Sequence, residues 1–121
     1  MSYHSFEELV VWKKSSRLAV NVYTELRDSR DFGLKDQMTR AAVSIPSNIA
    51  EGSERDSLRE FIRFLNIAKG SAAELRTQIY IAQQVAVISD GFAKDAHKEL
   101  KQISAMLHCL VKSLKSSISQ S

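Results

Sequence analysis

From Ser57 to Ile88 the chain reads SLREFIRFLNIAKGSAAELRTQIYIAQQVAVI. Within it Leu58, Phe61, Leu65, Ala68, Ala72, Leu75, Ile79, Ala82 and Ala86 recur at alternating steps of three and four. A helix of about 3.6 residues per turn lays such residues along one line. The spacing therefore predicts a long helix whose apolar seam packs in a bundle. Ser57 and Glu60 have capping-box spacing, each side chain placed to satisfy a free backbone amide, and Ser89-Asp90-Gly91 breaks the pattern. The helix is expected over 57–88.

The same rhythm continues on both sides. Ala96, Leu100, Ile103, Leu107, Leu110 and Leu114 predict a helix over 92–117, with the serine-rich end from Ser116 to Ser121 fraying. Leu34, Met38, Ala41, Ile45 and Ile49 predict another over 34–51, terminated at Gly52. Pro46 has no amide to donate and crowds the carbonyl of Ala42, so this helix should be kinked or split there. The first helix is expected over 6–28, with Ser5 and Glu8 as a capping box and Leu9, Trp12, Ser16, Ala19, Tyr23 and Leu26 as its stripe. The polar link Asp28-Ser29-Arg30-Asp31-Phe32-Gly33 is short enough to join antiparallel neighbours. No strand-like alternation, low-complexity tract or long-period repeat is present. The fold class is all-α: one domain, 1–121, built as an antiparallel up-down-up-down four-helix bundle with crossings near about 20°.

Bulk composition agrees. A length of 121 residues suits one core, and one proline and four glycines favour few, long helices. A net charge of +3 permits an anionic partner without demanding one. Cys109 is the single cysteine, which excludes an intrachain disulfide and suits a reducing compartment. The N-terminus, MSYHSFEELVVWKK, does not read as a secretory signal, and no apolar run reaches the roughly 18 residues of a membrane span. A cytoplasmic protein with no membrane partner is expected.

The residues for catalysis are missing. Di-metal carboxylate bundles need Glu-x-x-His pairs, and the sequence has none. His97 and His108 lie eleven residues apart, about 16 Å along a helix, too far to share a metal. His4 reads as a surface histidine. Cys109 and His108 are adjacent, so their side chains diverge by about 100°, and Cys109 reads as a structural thiol. Gly70-Ser71 lacks phosphate-loop spacing, and close helix packing is the expected reason for Gly70. No catalytic residue, metal site or cofactor is expected, and the chain is read as non-enzymatic.

Two surfaces remain. Val11, Leu18 and Val22 widen the apolar arc of the first helix beyond what one core needs, and Tyr80, Ile81, Val87 and Ile88 make the end of the third apolar on nearly all sides. Covered by loops and by Tyr3 and Phe6 in a monomer, or by other copies in a homo-oligomer, these seven residues are the expected oligomer interface. Opposite the core, Lys94, Lys98, Lys101, His108, Lys112 and Lys115 form a basic ridge on the fourth helix, with Ala105 in its uncharged place. Lys13, Lys14 and Arg17 on the first helix and Arg59 and Arg63 on the third, with Arg55 just before it, add to it. Lys94, Lys98, Lys101, Lys112 and Lys115, and secondarily Lys13, Lys14, Arg17, Arg59 and Arg63, are the candidate contacts to RNA or DNA backbone, and with no aromatic interleaving along the ridge for base stacking a single-strand platform is less supported than shape or charge recognition. The alternative is a scaffold whose apolar arcs meet another protein.

One string is more specific than any periodicity: Ser44-Ile45-Pro46-Ser47-Asn48-Ile49-Ala50-Glu51-Gly52, around the mid-helix proline. With Phe6-Glu7-Glu8-Leu9-Val10-Val11-Trp12-Lys13, Arg40-Ala41-Ala42-Val43, Phe61-Ile62-Arg63-Phe64-Leu65 and Ala68-Lys69-Gly70-Ser71, it resembles the bacterial four-helix-bundle proteins encoded in intervening sequences of large-subunit ribosomal RNA genes. That family is similar to the accessory variability determinant of diversity-generating retroelements, a pentameric basic barrel. The resemblance implies a ring-like homo-oligomer, a pentamer, with RNA or DNA as partner, and it supplies no catalytic residues. The link before Gly33 departs from the family in lacking a Phe-Pro step.

Overall fold

The computed structural model describes residues 5–119. Tyr3 and His4, read above as a cover and a surface histidine, lie outside the described residues, as do Gln120 and Ser121 at the expected frayed end. A single 3-10 turn, Phe6–Glu8, precedes four helices: α1 (Val10–Leu26), α2 (Phe32–Ser53), α3 (Leu58–Gln84) and α4 (Asp90–Ser119). Each helix packs on its sequence neighbours and α4 closes back on α1, with no diagonal pair in contact. Short links between successive helices make them antiparallel, so the architecture is the up-down-up-down bundle.

The α3 seam forms as its spacing predicts from Phe61 to Ala82, with Leu65, Ala68, Ala72 and Leu75 fully buried. It faces Met38, Ile45 and Ile49 of α2 and Leu100, Ile103 and Leu107 of α4 in one continuous core. Three helix starts are capped by side-chain oxygens, which satisfy amides that have no partner inside a helix. Asp31 accepts from Leu34 N at 3.1 Å, Ser57 from Glu60 N at 3.1 Å and Ser89 from Phe92 N at 3.1 Å. Only half of the expected Ser57–Glu60 box forms, because the Glu60 carboxylate turns to Arg63.

Several expectations are corrected. Ser5 caps the 3-10 turn through Glu7 N and not an α-helix through Glu8, and extended backbone at Leu9 (ψ 126°) starts α1 later. The α1 stripe is rotated about one residue from the expected one. Val11, Ser15, Leu18, Val22 and Leu26 are buried, whereas Tyr23 is 53% exposed. Val11, Leu18 and Val22 are therefore core and not an oligomer interface: two apolar lines run along this helix, and the bundle uses the one that α2 and α4 can reach. Of the two outcomes expected at Pro46 the split does not occur, since α2 is one helix from Phe32 to Ser53 with Pro46 inside it. Gly52 does not terminate α2 but lies inside it, against α3, where an added Cβ would stand 2.6 Å from Phe64 Cβ and 3.1 Å from Phe61 Cδ1. Gly70, by contrast, has nothing within 4 Å of such a Cβ and faces solvent. Cys109 is exposed.

Helix α3 ends four residues early, at Gln84, in a Schellman motif. Ala86, the one non-glycine residue with positive φ among those described, sits at 60°. Its amide donates to Gln83 O at 3.1 Å, and the amide of Val87 donates to Ala82 O at 2.8 Å. The reversal takes Ala86 out of the seam and folds Ile88 into the core with Val87 half-buried against it, so neither serves as the expected open interface. The turn is held to α1 by Glu25, whose carboxylate accepts from Ser89 N at 2.9 Å. Nothing within the monomer buries Tyr80 and Ile81.

No described helix is long and apolar enough to cross a membrane.

Candidate nucleic-acid interface

Five lysines of the predicted ridge, Lys94, Lys98, Lys101, Lys112 and Lys115, are exposed along α4. Residues three, four and seven apart on a helix share a side, and the core claims the opposite one. The tertiary arrangement decides what flanks the ridge.

On the α1 side lies a groove of about 570 Å³, lined by Lys14, Leu18, Asn21, Phe92, Asp95, Ala96, Lys98, Glu99 and Gln102. It is the larger groove and the less basic one. Lys14 is drawn into an ion pair with Glu99 at 2.8 Å, bridging α1 to α4. Lys13 and Arg17 remain exposed on α1. An approaching polyanion would meet Asp95 and Glu99 here.

The α3 side differs. Arg76 and Tyr80 of α3 and Lys94 and His97 of α4 line a cavity of about 340 Å³, whose wall includes Ile79 and Ala93. A second cavity of about 390 Å³ shares Arg76, Tyr80 and His97. Further along the same antiparallel seam, Arg59 and Lys115 come together around a third, of about 460 Å³. Lys69, a heptad from both Ile62 and Arg76, belongs to this side of α3. Among the described residues no carboxylate lines any of these three cavities, and neither Arg76 nor Lys94 is ion-paired. Asp90, at the end of the seam, accepts from Gln83 Nε2 at 3.1 Å.

Arg63 stands apart from this face. Its guanidinium pairs with Glu60 through Nε at 3.0 Å and Nη2 at 3.2 Å and lies 4.6 Å over the Phe64 ring, which Arg55 covers at 4.8 Å. The paired hydrogen bonds hold the Glu60 carboxyl below its ordinary range and raise Arg63 above its own. Arg63 is thus engaged locally, as Arg55 is with Glu51 at 3.3 Å.

The structure therefore gathers Arg59, Lys94 and Lys115 on one face with Lys101 and Lys112 exposed along α4 between them, turns Lys98 to the α1 groove, pairs Lys14 and Arg63 with carboxylates, and leaves Lys13 and Arg17 on α1. Arg76, Lys69 and His97 join the face although no single-helix pattern marked them. The only available signal was the shared heptad side of Lys69 and Arg76, which acquires meaning once α4 is placed against α3. Among the described residues no group of three His, Cys, Asp or Glu side chains could hold a metal ion.

The sequence model described as 23S rRNA-intervening sequence protein matches residues 7–109. Among solved structures, the chain is similar to a protein of unknown function of the S23 ribosomal protein family from Bacteroides thetaiotaomicron. The two share 27% identity and a TM-score of 0.80, over 85% of this chain and 99% of that one. No curated protein matches the chain.

Proposed function

The chain belongs to the 23S rRNA-intervening sequence protein family, and from that membership we propose that it is a non-enzymatic, self-associating bundle that binds nucleic-acid backbone across its α3–α4 face. The observation that carries this reading is the charge pattern. Arg59, Arg76, Lys94 and Lys115 surround three successive cavities with no carboxylate of the described residues among their linings. Cations without local partners attract phosphates through counterion release, which gives affinity with little sequence preference. Self-association multiplies the effect, because each copy adds a net charge of +3 and one more such face.

Support for self-association comes from one end of the bundle. Val20 and Tyr23 near the end of α1, Phe32 at the start of α2 and Ile81 and Val85 at the end of α3 are all exposed, and antiparallel packing brings these helix ends together. Apolar surface gathered in this way marks interfaces on small domains. The same end favours the second reading, a scaffold for another protein. A pentameric ring is the assembly that the family resemblance suggests, and the cytoplasm is the compartment that the single cysteine suits.

Mobility-shift titrations with RNA and with DNA at several salt concentrations test the proposal. Retardation should weaken steeply as salt rises, and replacing Lys94, Lys101 and Lys112 with glutamate should abolish it. No retardation at low salt sinks the nucleic-acid reading and leaves the scaffold. Light scattering tests the oligomer, which a monomer mass at all concentrations would contradict.

A further inference from the structure

We propose that the α3–α4 groove formed by Arg76, Tyr80, Lys94 and His97 is a subsite for one unpaired nucleotide of a single strand, with the phosphate on Arg76 and Lys94 and the base laid on the Tyr80 ring. The inference rests on the nucleic-acid reading above and sharpens its partner from a charged backbone to a single-stranded one.

The α4 ridge taken by itself carries cations and no Phe, Tyr or Trp ring for a base to stack on. The tertiary structure supplies one from the neighbouring helix. Tyr80 is 64% exposed, yet its side chain lines both cavities that Arg76 and His97 line. The floor beside it is apolar, with Ile79 and Ala93 buried almost completely. Thr77, at the rim, turns its hydroxyl to Ala73 O at 3.1 Å, and the Gln83 amide is occupied by Asp90. What remains open to a ligand is a ring face, an apolar floor and three nitrogen-bearing side chains. Cavities of about 340 and 390 Å³ that share lining residues are in the size class of small-molecule sites.

That combination selects against a duplex. Bases in a duplex are stacked on each other and offer only their edges and the backbone, whereas a splayed base offers its face to an aromatic ring. A ring in the wall of the α3–α4 groove, flanked by Arg76 and Lys94, can stack on a base face only when the nucleotide is unpaired. Cations elsewhere on the ridge, such as Lys101 and Lys112, continue the track for the strand's next phosphates.

The experiment compares the full chain with Tyr80→Ala and Tyr80→Phe, using labelled oligouridine, labelled oligothymidine and a blunt duplex of matched charge. Tyr80→Ala should weaken single-strand binding about tenfold, the scale of losing one base–aromatic stack. Tyr80→Phe should bind as wild type, because stacking needs the ring and not the hydroxyl. Duplex binding and its salt dependence should be the same in all three proteins, since no phosphate contact is removed. A wild-type chain that binds single strands while Tyr80→Ala binds them equally well overturns the subsite and leaves the parent reading standing. Failure of wild type to bind any probe overturns both. A change of mass in light scattering for Tyr80→Ala would assign the ring to a subunit contact and overturn the subsite. The oligouridine and oligothymidine arms report whether the site distinguishes RNA from DNA.

Discussion

Replacing Ala86 with glycine should stabilise this protein, although alanine-to-glycine changes in helical proteins ordinarily do the reverse. Ala86 is the left-handed residue of the turn that ends α3, at φ 60°. For an L-residue that conformation brings Cβ against the following carbonyl and costs roughly 1–2 kcal/mol. Glycine escapes this cost but gives the unfolded chain more freedom, which returns about 0.4–1 kcal/mol. The difference is a gain of about 0.5–1 kcal/mol, worth about 2–5 °C in melting temperature for a domain of this size. Both hydrogen bonds of the turn, Ala86 N to Gln83 O and Val87 N to Ala82 O, are retained because they use the backbone alone. Urea and thermal unfolding of Ala86→Gly at fixed protein concentration, beside Ala105→Gly, read the effect. Ala105 is exposed in the middle of α4, so its replacement should cost about 1 kcal/mol of helix propensity. Opposite signs for one chemical change are the expected outcome. If Ala86→Gly destabilised to the same degree as Ala105→Gly, Ala86 would be continuing a helix, and both the early end of α3 and the burial of Ile88 would be refuted.

Two other perturbations test local geometry. Gly52→Ala should destabilise by about 1–3 kcal/mol, because its Cβ would meet Phe64 Cβ at 2.6 Å and the α2–α3 backbones must part to admit it. Gly70→Ala, with open space around the added methyl, should stabilise by about 1 kcal/mol, and a matched pair of unfolding curves checks both signs. Glu60 should titrate below the ordinary carboxylate range in an NMR pH series because Arg63 hydrogen-bonds its charged form. A depressed folded value means that the pair's contribution is present above the unfolded carboxylate value and is lost as pH falls through the folded one. Arg63→Ala should return Glu60 to the ordinary range, and an ordinary value in the wild type would show that the pair does not persist in solution.

The helices were legible because burial in a bundle imposes a three-and-four rhythm that few other constraints disturb. Where the rhythm was ambiguous, so was the reading. In α1 two apolar lines run side by side, and spacing had no means to choose Val22 over Tyr23; contact with α2 and α4 chose. At the end of α3, Val85, Ala86, Val87 and Ile88 are as apolar as a helix interior, so no composition change announces the turn, and alanine stands where glycine would have signalled it. Gly52 and Gly70 look alike in sequence but differ in whether a neighbouring backbone passes close by.

The candidate site divides the same way. A ridge on one helix is a property of one helix, so the α4 lysines could be found from their spacing. Whether a cation is free or paired depends on what stands opposite, as Lys14 with Glu99 across the α1–α4 groove illustrates.

Taken alone, the sequence determined the number and order of the helices, their antiparallel succession, the apolar seam of α3 and the line of cations on α4. Each of these follows from a repeat within one segment, and a repeat survives without knowledge of the partner. Tertiary structure decided which arc of α1 is core, where α3 stops, and that Tyr80 and Arg76 stand beside Lys94. The physical reason is that burial, ion pairing and a shared groove are relations between surfaces that lie far apart along the chain. Antiparallel packing of α3 on α4 is what turned a row of lysines into a basic groove with a tyrosine in its wall.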